Sequence, residues 1–179
     1  FEVVETPGLD IDEGIFAVGK ATFATDNSYD VLNYLQQMKP AFAENGTVTA
    51  GNSSQLSDGA AAVLVANRNV AIENGWPILA TVLDYCTTGV EPARVMAAPI
   101  PAIELLLNRN QLTMDDLSFV EHNEAFAAAS CAVAKACNIP DEKVNPHGGA
   151  VAIGHPLGAT GARCLMALIN ALRRTGGGE

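Results

Sequence analysis

Asn145-Pro146-His147-Gly148-Gly149-Ala150-Val151-Ala152-Ile153-Gly154-His155-Pro156-Leu157-Gly158-Ala159-Thr160-Gly161 packs five glycines, two prolines and two histidines into seventeen residues, around the apolar run Ala150 to Ile153. Glycine at this density lets one backbone segment approach another, or a ligand, closely. His155 stands between Gly154 and Pro156, so its backbone is constrained on both sides. An imidazole placed in this way can exchange protons near neutral pH. Taken alone, the same histidine fits a core residue bonded to backbone equally well.

Outward from this turn, Ala162 to Arg174 carries Ala, Leu, Met and Ile on nearly every face, which predicts a buried helix. Arg173 and Arg174 suit its C-terminal end and Gly176 its stop. On the other side, Lys143 to Asn145 reads as a strand stub and Asn123 to Cys137 as an alanine-rich helix. Leu117 to Glu121 reads as a short strand, preceded by a helix cap at Thr113 with Asp115 and Asp116. Pro99 and Pro101 open a helix over Ala102 to Asn108. Ile78 to Tyr85 alternates as a strand does, and Asn67 to Asn74 reads as a short helix closed by Gly75 and Pro77. Ala60 to Ala66 is an apolar run that suits a buried strand, and Thr47 to Ser54 a short strand entering a small-residue loop. Residues 29–39 have helical spacing ended by Pro40, and residues 1–28 are irregular. Strands alternating with helices predict a layered α/β fold, with no internal repeat.

The chain has 179 residues, 49% of them apolar and 17% charged, which excludes a disordered chain. Twenty acidic residues against ten basic ones give a net charge of −10, with no basic surface for nucleic acid. No apolar run is long enough to span a membrane. Cys86, Cys131, Cys137 and Cys164 form no CxxC pair and read as reduced intracellular thiols. His122 and His147 have no cysteine or carboxylate at ligand spacing, so no metal site is expected. Gly154, Gly158 and Gly161 miss the GxGxxG spacing of a dinucleotide loop. Both chain ends read like the interior of a longer protein.

Three segments stand together. They are Gly46 to Ser54 with Asp58-Gly59-Ala60-Ala61; His122-Asn123-Glu124-Ala125-Phe126-Ala127; and Gly148-Gly149-Ala150 through Gly154-His155-Pro156-Leu157-Gly158-Ala159-Thr160-Gly161-Ala162-Arg163. In this order they resemble the thiolase family, acyl-CoA acyltransferases that make or cleave 3-ketoacyl-CoA. The resemblance implies an αβαβα layered fold of two similar halves, here incomplete and mostly the C-terminal half. Residues 1–55 would end a loop domain, 56–76 would supply the last helix and strand of the first half, and 77–179 most of the second. Ala60 to Ala66 would then be a strand without its sheet partners, and the fragment alone would expose apolar edges.

By the same resemblance, His155 activates a nucleophilic cysteine and, with Asn123, holds the thioester oxygen. An N-terminal helix cap is the plainer reading of Asn123, and both roles are compatible. Glu124 reads as a first-turn carboxylate complementing the helix dipole. Ser54 would contact the pantetheine arm of coenzyme A in a slot lined by Ala50 and Phe42, with a turn serine as the plainer reading. Ala125 and Phe126 would border the acyl pocket. Coenzyme A enters as substrate and product, no cofactor is held permanently, and the intact protein would be a homodimer or homotetramer in the cytoplasm or an organelle matrix.

This chain departs from the pattern in three respects. Both catalytic cysteines of the family are missing, and Cys86 and Cys164 lie outside both cysteine motifs, so the fragment alone is expected to be inactive. Phe16 stands where many relatives have Arg near the CoA nucleotide. An insertion follows at about residues 17–27. A ketosynthase-type relative would carry a second histidine in place of Asn123, and a silent CoA-binding or partner-binding chain is the remaining alternative. The wording Asn52-Ser53-Ser54-Gln55 and Asn145-Pro146 leans toward degradative 3-ketoacyl-CoA thiolases.

Overall fold

A computed structural model describes residues 33–176, so Phe16, the insertion after it and the start of the 29–39 helix lie outside the described residues. A helical turn at 33–36 ends before Pro40, in line with the spacing. Helix α1 is Arg68–Glu73, α2 Pro99–Asn110, α3 Ala127–Ala136, α4 Ala150–Ile153 and α5 Thr160–Arg174. Short 3-10 segments at Ala50–Asn52, Pro92–Ala97, Met114–Asp116 and Asp141–Lys143 punctuate them, the second kinked at Arg94.

Local chemistry sets most of these boundaries. The Asn67 side chain accepts the Asn69 N–H at 2.9 Å and starts α1, and Gly75 at φ +67° follows its end. Pro99 occupies the first turn of α2, where its missing N–H costs nothing. Thr113 and Asp116 form a capping box around the Met114–Asp116 turn.

Two expected helix features differ. Helix α3 begins at Ala127, four residues after Asn123. The cause is a bridge from Ser53 to Phe126 and the Ser54 N–H donating to Ala125 O at 2.9 Å, which hold Phe126 extended. Helix α5 is not buried all round. Thr160 and Ala171 are buried, whereas Gly161, Met166, Asn170, Arg173 and Arg174 form an exposed stripe, so the helix is amphipathic.

Among the described residues, pairing between extended segments consists of isolated bridges. Pro40 pairs antiparallel with Thr49, Ser53 antiparallel with Phe126, and Val120 parallel with Val144. The strands expected over 60–66 and 78–85 do not form, because a strand exists only through a neighbour's hydrogen bonds and none lies beside them. Their side chains stay in solvent: Leu64 is 78% exposed, Val65 76%, Leu83 71% and Tyr85 81%. The buried apolar residues are small, with Val133 the largest fully buried side chain, beside Ile139 and four alanines. Helix α3 packs on α2 and on the Pro92–Ala97 turn. The bridge from Val120 to Val144 then delivers residues 121–124 and 145–155 to one place.

Candidate active site

Asn123 and His155, thirty-two residues apart, meet with Asn123 Nδ2 3.2 Å from His155 Nε2. The other ring nitrogen, Nδ1, lies 2.7 Å from Thr160 Oγ1, and that hydroxyl donates to Pro156 O at 3.0 Å. With the Thr160 hydrogen on that carbonyl, its oxygen accepts from the tautomer of His155 that carries its proton on Nδ1. Nε2 is left bare and accepts from the Asn123 amide. The result is one directed chain, Asn123 N–H to His155 to Thr160 to Pro156 O. A bare imidazole nitrogen beside an amide donor can take a proton and, once protonated, can join that donor in holding an oxyanion. Asn123 does not cap α3, whose N-cap is Phe126 with no side-chain bond.

The backbone around this pair is tightly drawn. Ala150 N–H donates to Asn123 O at 3.1 Å, and Asn145 Oδ1 accepts the His122 N–H at 2.7 Å. Glu124 adopts φ +59°, a left-handed conformation unusual for a residue with a Cβ. Its carboxylate accepts the Val151 N–H at 3.3 Å, so it serves the first turn of α4 rather than that of α3, as the sequence suggested. A Cβ on Gly149 would fall onto the Glu124 side chain and 2.6 Å from Asn145 Nδ2. Glycine is therefore required there by close approach. Gly154, at φ +94°, is required twice over, since a Cβ would also strike the Ser57 hydroxyl.

That contact brings the 53–59 loop to the histidine turn, where a Cβ on Gly59 would lie 2.9 Å from Pro156 Cγ. Phe42 and Phe126 meet edge to face with ring centroids 6.1 Å apart, next to Ser54 and Ala125. Phe42, Ser54, Ala125 and Phe126 thus form one neighbourhood. The turn-type hydroxyl bond belongs to Ser53, which donates to Thr49 O at 2.7 Å, and not to Ser54. Ala50 starts the Ala50–Asn52 turn and is exposed.

Thr160 received no role from the sequence. Its signal was available in hindsight: a hydroxyl five residues after a histidine, at the first position of a helix. A second pair is Glu121 and Arg163, with Arg163 Nη1 3.8 Å from a carboxylate whose side chain is 3% exposed. Burial pushes the Glu121 carboxyl up, against the pull of Arg163. Burial also raises the Cys137 and Cys164 thiols, which disfavours either as a nucleophile. Among the described residues no group of three His, Cys, Asp or Glu side chains could hold a metal ion.

The thiolase C-terminal domain family matches residues 76–179, and the thiolase N-terminal domain family matches residues 15–69. The chain belongs to the thiolase family. The peroxisomal 3-ketoacyl-CoA thiolase B of Rattus norvegicus is 50% identical over 142 residues, 79% of this chain and 34% of the rat protein. The crystal structure of human mitochondrial 3-ketoacyl-CoA thiolase in complex with CoA superposes with a TM-score of 0.74 at 35% identity, covering 82% of this chain and 37% of that one. The dimeric peroxisomal thiolase of Saccharomyces cerevisiae gives a TM-score of 0.76 at 43% identity, covering 78% and 36%. This thiolase chain has a thiolase-like α/β fold, with few strand pairings among the described residues, and it spans about a third of the length of the curated relatives it matches.

Proposed function

We propose that the complete protein is an acetyl-CoA C-acyltransferase that cleaves 3-ketoacyl-CoA with coenzyme A, reversibly, through an acyl-cysteine. The observation that carries this reading is the 3.2 Å contact between Asn123 Nδ2 and His155 Nε2. In the forward direction the nucleophilic cysteine, supplied by a part of the protein outside this chain, loses its thiol proton to His155 Nε2. Its sulfur attacks the 3-keto carbon, and the bond between C2 and C3 breaks to leave acetyl-CoA as its enolate. Asn123 and protonated His155 hold the negative oxygen, a stabilisation of about 3 kcal/mol for one well-placed donor. A proton returns to the acetyl carbon, and incoming CoA then takes the acyl group from sulfur.

The names of the relatives support the thiolytic direction over condensation, and the CoA complex of the human protein supports coenzyme A as substrate and product. Ser54, with Phe42 and Phe126 beside it, is the proposed contact for the pantetheine arm, and Ala125 and Phe126 border the acyl group. Ala50 is the proposed lining residue of that slot. A homodimer in an organelle matrix is the proposed assembly and location, supported by relatives described as dimeric and peroxisomal. Among the described residues no helix is long and apolar enough to cross a membrane.

The test is cleavage of acetoacetyl-CoA by the complete protein. His155→Ala lowers turnover by at least about a hundredfold, the scale of a lost general base. Near-normal cleavage by that variant, or none by the unmodified protein, overturns the reading.

A further inference from the structure

His122 takes no part in the chemistry above, yet it is half-buried directly beside Asn123 and its ring is fully engaged on one side. Its Nδ1 lies 2.6 Å from Ser130 Oγ, inside the first turn of α3, and 3.3 Å from the Glu124 N–H. A backbone amide can only donate, so Nδ1 carries no proton and Ser130 donates to it as well. The ring proton therefore sits on Nε2. Ser130 is 6% exposed, so this bond is sheltered from competing water.

These contacts enclose Asn123. The peptide joining Glu121 to His122 is tied by its N–H to Asn145 Oδ1, and the peptide joining Asn123 to Glu124 is tied at both ends, its carbonyl by Ala150 N–H and its N–H by the His122 ring. The last tie holds the left-handed backbone of Glu124, a conformation that costs about 1–3 kcal/mol and persists only where its surroundings enforce it. We propose that His122 is a positioning residue: its bare Nδ1, backed by Ser130, fixes the turn that aims the Asn123 carboxamide at His155. In a preorganised oxyanion site, an error of about 1 Å costs about a hundredfold in rate, so a tether one residue from the donor bears on turnover. The inference rests on the thiolase reading for its kinetic consequence and on geometry alone for its structural one.

The experiment compares His122→Asn with His122→Gln in the complete protein. Asparagine places its carbonyl oxygen where Nδ1 lies and can accept the same two bonds, whereas glutamine carries its oxygen one carbon too far. His122→Asn keeps at least about half of kcat, while His122→Gln and His122→Ala lose about tenfold or more with KM unchanged within about twofold, the pattern of an interaction needed in the transition state. Crystal structures of the two amide variants provide a readout independent of activity. Asn123 Nδ2 stays within hydrogen-bond reach of His155 Nε2 in His122→Asn and moves beyond about 3.5 Å in His122→Gln. Equal kcat in the two amide variants, or an unchanged Asn123 in His122→Gln, overturns the proposal. An inactive unmodified protein counts against the thiolase reading, and the crystal comparison still decides the role of His122.

Discussion

Replacing Thr160 by valine keeps the volume at the start of α5 and removes the acceptor that holds the Nδ1 proton of His155. The ring then has no reason to keep Nε2 bare. Thr160→Val in the complete protein lowers kcat by about 10- to 100-fold, short of the full loss expected for His155→Ala, and Thr160→Ser restores most of it; steady-state kinetics check this. Titration of two buried neighbours works in opposite directions on stability. Burial holds the His122 imidazole below the usual histidine value of 6.5. Its contribution to stability is therefore complete above that pH and is lost as pH falls from there toward the depressed folded value. Glu121 has a folded pKa raised from 4.5, so its contribution is complete below that pH and is lost as pH rises through the raised value. The melting temperature of His122→Asn consequently falls less than that of the unmodified protein between about pH 7 and about pH 5.

Among the turns, glycine positions that look alike in sequence separate by what surrounds them. Gly149→Ala places a methyl group on Glu124 and Asn145, and should cost about 1–3 kcal/mol as overpacking. Gly158→Ala meets nothing within 4 Å and changes stability by no more than about 1 kcal/mol. Denaturant midpoints of the two variants test the contrast. Helices were legible where caps and prolines mark them, as at Asn67, Pro99, Pro40 and Thr113. The start of α3 was not, since alanine propensity continues back to Ala125 and only the distant Ser53 and Ser54 overrule it. The pair Asn123 and His155 was readable as a motif. The Thr160 link was not, because a hydroxyl at a helix start has many ordinary uses.

Over the whole molecule, the strand-like segments at 60–66 and 78–85 carry their apolar side chains in water. Alternation and apolar runs pointed to strands that do not form here, because pairing depends on neighbours that no local pattern encodes. An apolar surface of this kind binds hydrophobic dye and self-associates. The isolated chain therefore enhances 8-anilinonaphthalene-1-sulfonate fluorescence, and replacing Leu64, Val65 and Leu83 by serine reduces both dye binding and sedimentation as large species. Unchanged fluorescence in that triple variant would show that these side chains are already covered. The parallel bridge between Val120 and Val144 has a different consequence. Both backbones run the same way and stop pairing within a few residues, with Asn123 just past the bridge on one segment and the histidine turn reached after α4 on the other. The residues that weld the two segments are thus not the pair that meets at 3.2 Å, so a change at Val120 or Val144 is felt by Asn123 and His155 only through the shared backbone.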